Sequence, residues 1–204
     1  MSSNVAIIVL AAGQSSRLGQ MKQLLPINNK SLLETQLEHA LAITNNVYCV
    51  LGYQAEQLQS CIDHLPIVTI INSDWLTGMG SSIAAGVKAL TPDINAVMIV
   101  LVDQWQLTTS DLAQHFGYWQ SKPSDIIVAQ DNLAPTKSNK IGPPVIFPRY
   151  FFSELSQLTG EQGAKPLLHK YQHVLLKVPL ASAFIDVDTP EQLITMNKML
   201  KAQS

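Results

Sequence analysis

Short apolar runs that alternate with helical patterns constrain the fold of this chain more than any other sequence feature. Several runs are continuously apolar, which is typical of parallel strands covered on both faces. The alternation predicts an α/β fold with a Rossmann-like, doubly wound and mostly parallel sheet, and ligands bound beyond the carboxyl ends of its strands. The predicted strands are Val5–Leu10, Val47–Leu51, Ile67–Ile71, Val97–Val102, Ile126–Ala129 and Phe184–Val187.

Helical patterns fill the intervals between these runs. A Ser31-x-x-Glu34 capping box predicts a helix start ahead of an apolar face. At Thr189, Pro190 occupies the first helical position, where its missing N–H would have no partner in any case. Two further helices are predicted over Ser81–Leu90 and Ser110–Gln120.

The chain length favours one domain, because 204 residues fall within the usual range for a single domain. We therefore expect a single domain over residues 1–204. The segment at about 131–148 is rich in Pro, Asn, Lys and Gly and is predicted to be an irregular insertion. Long loops inside compact domains are often functional.

Composition excludes several classes of protein. Only 14% of the residues are charged and the net charge is −2, which argues against a nucleic-acid binder. The longest apolar runs are shorter than the roughly 20 residues that span a bilayer, so no membrane association is expected. The first four residues lack the basic start of a signal peptide, and Cys49 and Cys61 have no metal-site or disulfide spacing. We expect a cytoplasmic protein with reduced thiols.

The strongest chemical signal follows the first predicted strand, in Leu10–Lys22 (LAAGQSSRLGQMK). Small residues allow backbone amides to approach phosphate oxygens closely, and Arg17 and Lys22 add two cations to the same loop. The spacing of Gly13 and Gly19 matches neither a P-loop nor a dinucleotide fingerprint. The residues alone leave two alternatives open: a polyphosphate-binding loop, or a plain strand-to-helix turn with solvated cations.

The pattern L-A-A-G-x-S-x-R-x-G-x-x-K-x-L over residues 10–24 resembles the signature of the MobA-like nucleotidyltransferases, which include molybdenum-cofactor guanylyl- and cytidylyltransferases. Four more segments are similar to the cytidylyltransferase (MocA-type) branch, and five motifs in family order are more specific than one. The resemblance implies a magnesium-dependent transfer of CMP from CTP to molybdopterin carrying molybdenum, with release of pyrophosphate. The four segments are residues 72–83, 102–104, 159–164 and 185–191.

The resemblance also implies a role for individual residues. Arg17, Lys22 and Asp103 are the expected catalytic residues. The expected metal ligands are Asp103 with Asp186 or Asp188, and Asp186 is slightly favoured because Asp188 could instead cap the following helix. The expected nucleotide-binding residues are Leu10, Ala11, Ala12, Gly13, Arg17, Lys22, Gly80, Ser81 and Ser82.

Two departures from the family pattern affect the acceptor side. Trp105 stands where the family usually has Pro, and it could stack on a pterin ring or fill the core. Lys165 stands where the family usually has Arg, so a planar bidentate donor is lost. A client molybdoenzyme or its chaperone is left open as a protein partner.

Three alternatives to the cytidylyltransferase hypothesis remain. The first is a nucleotidyltransferase for GTP or for another acceptor such as a sugar phosphate. The second is a chaperone that binds the molybdenum cofactor without turnover. The third, a nicotinamide-dependent oxidoreductase, is disfavoured because Ile83 stands where the dinucleotide fingerprint needs a small residue.

Overall fold

The computed structural model describes residues 4–131 and 140–203, which contain a large mixed sheet and a small two-stranded ribbon. The ribbon lies in the loop that follows the first strand. The strands of this part of the chain are β1 (Val5–Leu10), β2 (Pro26–Ile27), β3 (Lys30–Ser31), β4 (Val47–Leu51), β5 (Val68–Ile71), β6 (Ala96–Leu101), β7 (Ile126–Gln130), β8 (Ile141–Pro148) and β9 (Leu175–Pro179).

The helices alternate with these strands. None of those among the described residues is long and apolar enough to cross a bilayer. They are α1 (Leu32–Leu41), α2 (Ala55–Ile62), α3 (Met79–Lys88), α4 (Thr109–Ser121), α5 (Phe152–Leu155), α6 (Lys165–Lys170) and α7 (Pro190–Gln203).

The large sheet has the strand order β5-β4-β1-β6-β8-β7-β9. Its neighbours pair in parallel except for β8, which is antiparallel to both β6 and β7. The chain moves from β1 outward to β4 and β5, and it then returns to place β6 on the other side of β1. The carboxyl ends of β1 and β6 therefore flank the point where the winding reverses, which is the usual ligand site of such sheets. The predicted fold class is confirmed.

Helices cover both faces of the sheet, which explains the continuous apolar runs. Side chains of β1 alternate between the two faces: Ile7 and Val9 belong to one core and Ile8 and Leu10 to the other. Helices α1, α2, α4 and α7 contribute to the first core, and α3, α5 and α6 contribute to the second.

The predicted helix starts are close to the observed ones. The Ser31 hydroxyl accepts a hydrogen bond from the Glu34 amide (3.1 Å), but the Glu34 carboxylate contacts His64 (3.3 Å) instead of completing the box. Helix α7 begins at Pro190 as predicted. Helix α3 begins at Met79, so Ser81 lies inside its first turn rather than at its cap.

The predicted strand Phe184–Val187 is wrong. Residues Ala181–Phe184 form a 3₁₀ helix, and residues 185–188 follow without a strand partner. The free edge of β7 is occupied by β9, which pairs with it in parallel. Periodicity could not reveal this competition, because it depends on which segment reaches the edge of the sheet.

The predicted irregular insertion at 131–148 is wrong over its second part, because residues 141–148 form β8. Pro143 and Pro144 lack the N–H groups of a regular ladder, and they fall where the ladder is interrupted. The register with β7 shifts between Val128 and Ala129, and the pairing with β6 stops at Ile99–Val145. Residues 132–139 of the predicted insertion lie outside the described residues.

Candidate active site

A cleft of about 570 Å³ lies beyond the carboxyl ends of β1 and β6. The loop after β1 forms one wall, and the segment that opens α3 forms the opposite wall. Most predicted site residues meet in this cleft: it is lined by Leu10, Ala11, Ala12, Gly13, Arg17, Lys22, Ser82, Asp103, Asp186 and Asp188.

A buried glutamine, which the sequence analysis missed, holds the loop after β1 in place. The Gln23 amide donates to the carbonyls of Ala11 and Gly13, both at 2.8 Å. Gln23 has no exposed surface, so its amide N–H groups hydrogen-bond to the loop backbone instead of to water. Because Gln23 follows Lys22, this anchor also fixes where the lysine leaves the loop. Its spacing gave no signal, since one glutamine in a loop has no characteristic pattern.

Four charged side chains form an ion-pair cluster on the floor of the cleft. The Lys22 Nζ atom lies 2.6 Å from Asp103 Oδ2 and 2.8 Å from Asp188 Oδ1. The Arg17 guanidinium lies 2.8 Å from Asp188 Oδ2. Lys22 is largely buried, whereas Arg17 is 73% exposed at the mouth of the cluster. The cluster thus joins residues that lie far apart in the sequence: Arg17 and Lys22 near the start of the chain, and Asp103 and Asp188 far beyond them.

The electrostatics of the cluster follow from burial and pairing. Burial lowers the pKa of Lys22, but its ion pairs with Asp103 and Asp188 outweigh burial and raise the pKa above the ordinary lysine value. Burial raises the pKa of Asp103, and Lys22 opposes that shift only in part. Burial also raises the pKa of Asp188, but the bonds from Lys22 and Arg17 reverse this and lower it. Lys22 therefore stays protonated and Asp188 stays ionised at neutral pH.

The carboxylates of the cleft can accept a divalent cation. Asp103 Oδ1 is buried and has no hydrogen-bond partner among the described residues. Asp186 lines the same cleft and makes no hydrogen bond or ion pair with the described residues. Within those residues no group of three or more His, Cys, Asp or Glu side chains could hold a metal. Two carboxylates suit a magnesium-like ion that completes its shell with phosphate oxygens and water.

At the start of α3, one of the predicted nucleotide-binding residues lines the cleft and two do not. Asn72 donates to the hydroxyls of Ser81 (2.9 Å) and Ser82 (3.0 Å), and Ser82 lines the cleft. Gly80 and Ser81 are not among the described residues that line it. A side chain at Gly80 would come within 2.5 Å of the Thr159 carbonyl oxygen, so this glycine allows close packing of the late turn.

A second cavity of about 220 Å³ adjoins the cleft and has a different character. Its walls are mainly apolar, and Lys140 and Lys165 provide its cations. Asp103 and Asp186 line both spaces, so the two meet at these carboxylates. The apolar wall of the second cavity contains Ile83, Ile99, Val145, Phe147 and Leu168.

Trp105 does not line either space. Its side chain is 9% exposed and belongs to the core beneath α1 and α4. The structure therefore supports the core-filling alternative for this departure from the family pattern. Lys165, in contrast, lines the second cavity.

Comparisons with known proteins match this geometry. Residues 7–174 match the model of the MobA-like NTP transferase domain. The chain is 26% identical over 194 residues to the molybdenum cofactor cytidylyltransferase of Escherichia coli K12, covering 95% of both chains. It is also 30% identical over 192 residues to nicotine blue oxidoreductase of Paenarthrobacter nicotinovorans, covering 91% of this chain and 93% of the other.

A solved structure shares the whole architecture. The crystal structure of a homologue of Mycobacterium tuberculosis Rv0371c, from Mycobacterium sp. strain JC1, superposes with a TM-score of 0.85. That chain is 25% identical, and the match covers 100% of each chain. The family match spans most of the sequence and includes the loop and the Asp103 strand end that form the cleft. The chain belongs to the MobA-like NTP transferase domain family and is a nucleotidyltransferase.

Proposed function

We propose that this nucleotidyltransferase transfers CMP from CTP to a molybdopterin-type acceptor and releases pyrophosphate, with residues 1–204 acting as a single domain. The observation that carries the proposal is the meeting of a cation-lined cleft and an apolar cavity at Asp103 and Asp186. Two substrates of different chemistry need two such spaces, and transfer between them needs one shared boundary.

The cleft is assigned to the nucleoside triphosphate. Ala11, Ala12 and Gly13 line it without bulky side chains, so a base and sugar can approach closely. Arg17 and Lys22 bring two positive charges to the triphosphate. The choice of CTP rests on similarity to the molybdenum cofactor cytidylyltransferase of E. coli.

A divalent cation, magnesium by preference, is assigned to Asp103 and Asp186. When bound, it supplies positive charge to the phosphate oxygens of the reacting group. Asp186 is favoured over Asp188 because Asp188 is already paired with Lys22 and Arg17. Asp103 contributes the unpartnered oxygen Oδ1.

The apolar cavity is assigned to the acceptor. Side chains such as Val145, Phe147 and Leu168 suit the flat ring system of a pterin. A sugar phosphate fits less well, because side chains such as Val145, Phe147 and Leu168 cannot hydrogen-bond to its hydroxyl groups. Lys140 and Lys165 suit the negative charge of a phosphorylated acceptor.

The transfer itself needs no protein nucleophile. An ionised phosphate oxygen of the acceptor attacks the α-phosphorus of CTP, and the bond to the β-phosphate oxygen breaks. The attacking oxygen already carries a negative charge, so no general base is required. Arg17 and Lys22 neutralise the charge that grows on the departing pyrophosphate. The chain thus contributes alignment and charge stabilisation.

The proposal is tested by pyrophosphate release from CTP with magnesium and the molybdenum cofactor, compared with GTP and with a sugar phosphate acceptor. We expect release only when CTP and the pterin acceptor are both present. Higher turnover with GTP would overturn the base assignment. Binding of CTP without release under any of these conditions would favour the non-catalytic chaperone.

The relative named nicotine blue oxidoreductase supports a second candidate, an oxidation–reduction reaction of a flat heterocycle in the apolar cavity. The test is oxidation of NADH or NADPH with aromatic acceptors, followed by absorbance. We expect no oxidation above the background without protein, because the loop after β1 lacks the glycine spacing of a dinucleotide site. Turnover of a reduced nicotinamide would replace the transfer hypothesis.

A further inference from the structure

The side chain of Gln104 is buried at the boundary between the cleft and the apolar cavity. It is 3% exposed and follows Asp103 directly in the chain. Its Nε2 group donates to the carbonyls of Pro143 (2.7 Å) and Ala183 (2.6 Å), and its Oε1 accepts from the Leu101 amide (3.2 Å). Both of its N–H groups and its carbonyl oxygen are therefore used within the protein.

The three partners lie in three segments that enclose the apolar cavity. Leu101 ends β6, Pro143 lies in β8, and Ala183 lies in the 3₁₀ helix just before Asp186. All three residues line that cavity. One side chain thus connects three walls that come together from distant parts of the sequence.

The Gln104 side chain makes hydrogen bonds at the place where the backbones of β6 and β8 no longer pair. The β6–β8 ladder stops at Ile99–Val145, and the next residues of β8, Pro144 and Pro143, have no N–H to donate. Without Gln104, the Leu101 amide and the Pro143 carbonyl would lose these partly buried hydrogen bonds. The neighbouring carbonyl of Asp103 accepts from the Val187 amide (3.3 Å), which ties the Asp186 segment to the same point.

We propose that Gln104 is a positioning residue for the transfer reaction: it fixes the spacing of Asp103, the Asp186 segment and the β8 wall at the boundary between the two substrates. This inference rests on the proposed function. Gln104 lines the apolar cavity, but its polar groups are already engaged within the protein, so it acts through the walls that it connects. Loss of its amide would let the walls shift while the nucleotide cleft keeps its own anchor, Gln23.

The test compares Gln104→Met and Gln104→Glu with the wild type. Methionine keeps the length without hydrogen-bond donors, and an ionised glutamate would place negative charge against two carbonyl oxygens. We expect kcat to fall by about 10²-fold in both variants, which is typical of small misplacements of reacting groups. The KM and the binding stoichiometry for CTP should stay at wild-type values.

Gln36→Met provides a matched control. Gln36 is also buried, and it donates to the backbone carbonyl of Gln104 (3.2 Å), which keeps a second bond from the Leu107 amide (3.0 Å). The control loses a buried amide that bonds to none of Leu101, Pro143 and Ala183, so the link between the three walls stays in place. It should unfold at a lower denaturant concentration and keep the wild-type kcat.

The outcomes separate this inference from the proposed function. Wild-type kcat in either Gln104 variant would overturn the positioning role. A lower CTP stoichiometry that accounts for the lost turnover would also overturn it, since the residue would then only support folding. If the wild type itself fails to release pyrophosphate with any acceptor, the proposed function fails instead. In that case a changed structure around Asp186 in Gln104→Met would still support the positioning of the walls, and an unchanged one would contradict it.

Discussion

The cleft and the apolar cavity meet at the same carboxylates but are built in opposite ways. The cleft is lined by small residues of the loop after β1 and by the paired charges of Arg17, Lys22 and Asp188. The cavity is enclosed by aliphatic and aromatic side chains from β6, β8 and α6. Charge can be supplied by a flexible loop, whereas a shaped apolar wall needs the packed sheet. We infer that nucleotide binding and acceptor selection depend on separate parts of the chain.

The largest effect is expected at the boundary itself, in Asp103→Asn. The amide keeps the shape but loses the negative charge that attracts a cation and pairs with Lys22, so kcat for pyrophosphate release should fall by about 10³-fold. Asp63→Asn, on the exposed end of α2, is the control and should keep full activity. Full turnover in Asp103→Asn would remove this residue from the reaction and with it the shared boundary.

The next effect concerns stability: His115 of α4 is buried behind β7, on the face of the sheet opposite the apolar wall of the cavity. Burial lowers the pKa of His115 to about 4, against an ordinary value of 6.5. The unfolded chain takes up this proton first as pH falls, so folding stability should decrease between about pH 6.5 and pH 4, by about 3 kcal/mol in total. Urea denaturation at a series of pH values across this range measures the free energy of unfolding.

His115→Gln should flatten this pH dependence, because glutamine can still donate to the Ile127 carbonyl but does not ionise. His169→Gln, at an exposed position, should leave the dependence unchanged. An unaltered pH profile in His115→Gln would show that other groups cause the acid sensitivity of this side of the sheet.

A smaller and opposite pair of effects is expected for Lys22→Met in the cleft. The affinity for CTP should fall about tenfold, because a charge-assisted contact with the triphosphate is lost. The affinity for Mn²⁺ without nucleotide should rise, since Asp103 and Asp188 lose the ammonium that now neutralises them. Calorimetry measures the affinity for CTP, and manganese paramagnetic resonance measures the affinity for Mn²⁺.

Lys88→Met is the control for this pair, because Lys88 is exposed at the end of α3 and outside both spaces. A fall in both affinities in Lys22→Met would indicate that the lysine supports the cleft structurally. In that case it would not compete with the metal for the carboxylates.

The smallest effect is expected for Lys165→Ala at the cavity. An exposed charge contributes little, so the KM for the acceptor should rise by no more than about fivefold while CTP affinity stays constant. Lys165→Arg should lower that KM, because the guanidinium restores a bidentate phosphate contact. Lys177→Ala, on the edge strand, is the control. A change confined to CTP affinity would contradict the division between the two spaces.

Much of the cleft was predictable from sequence. The loop residues directly follow the apolar run of β1, and Asp103 follows the apolar run of β6. Ligand sites of such sheets lie at the carboxyl ends of strands, so strand patterns alone indicate where these residues meet. Ser31 and Pro190 marked helix starts because capping depends on neighbouring residues only.

The apolar cavity was predicted less well, because it depends on contacts between distant segments. The proline-rich sequence of β8 indicated a loop, yet the bulge opposite Val128–Ala129 accommodates its missing donors. The apolar run at Phe184–Val187 suggested a strand, but β9 occupies the edge it would need. The anchors Gln23 and Gln104 gave no periodic signal, since each acts through backbone carbonyls that only the fold brings within reach.

The central claim is that Asp103 marks the boundary between a nucleotide cleft and an acceptor cavity. Anomalous diffraction from crystals soaked with Mn²⁺ and a non-hydrolysable CTP analogue tests it most directly. We predict a manganese peak against Asp103, with the triphosphate beside Arg17 and Lys22 and the apolar cavity still free. A triphosphate inside the apolar cavity, or manganese away from Asp103, would contradict the account.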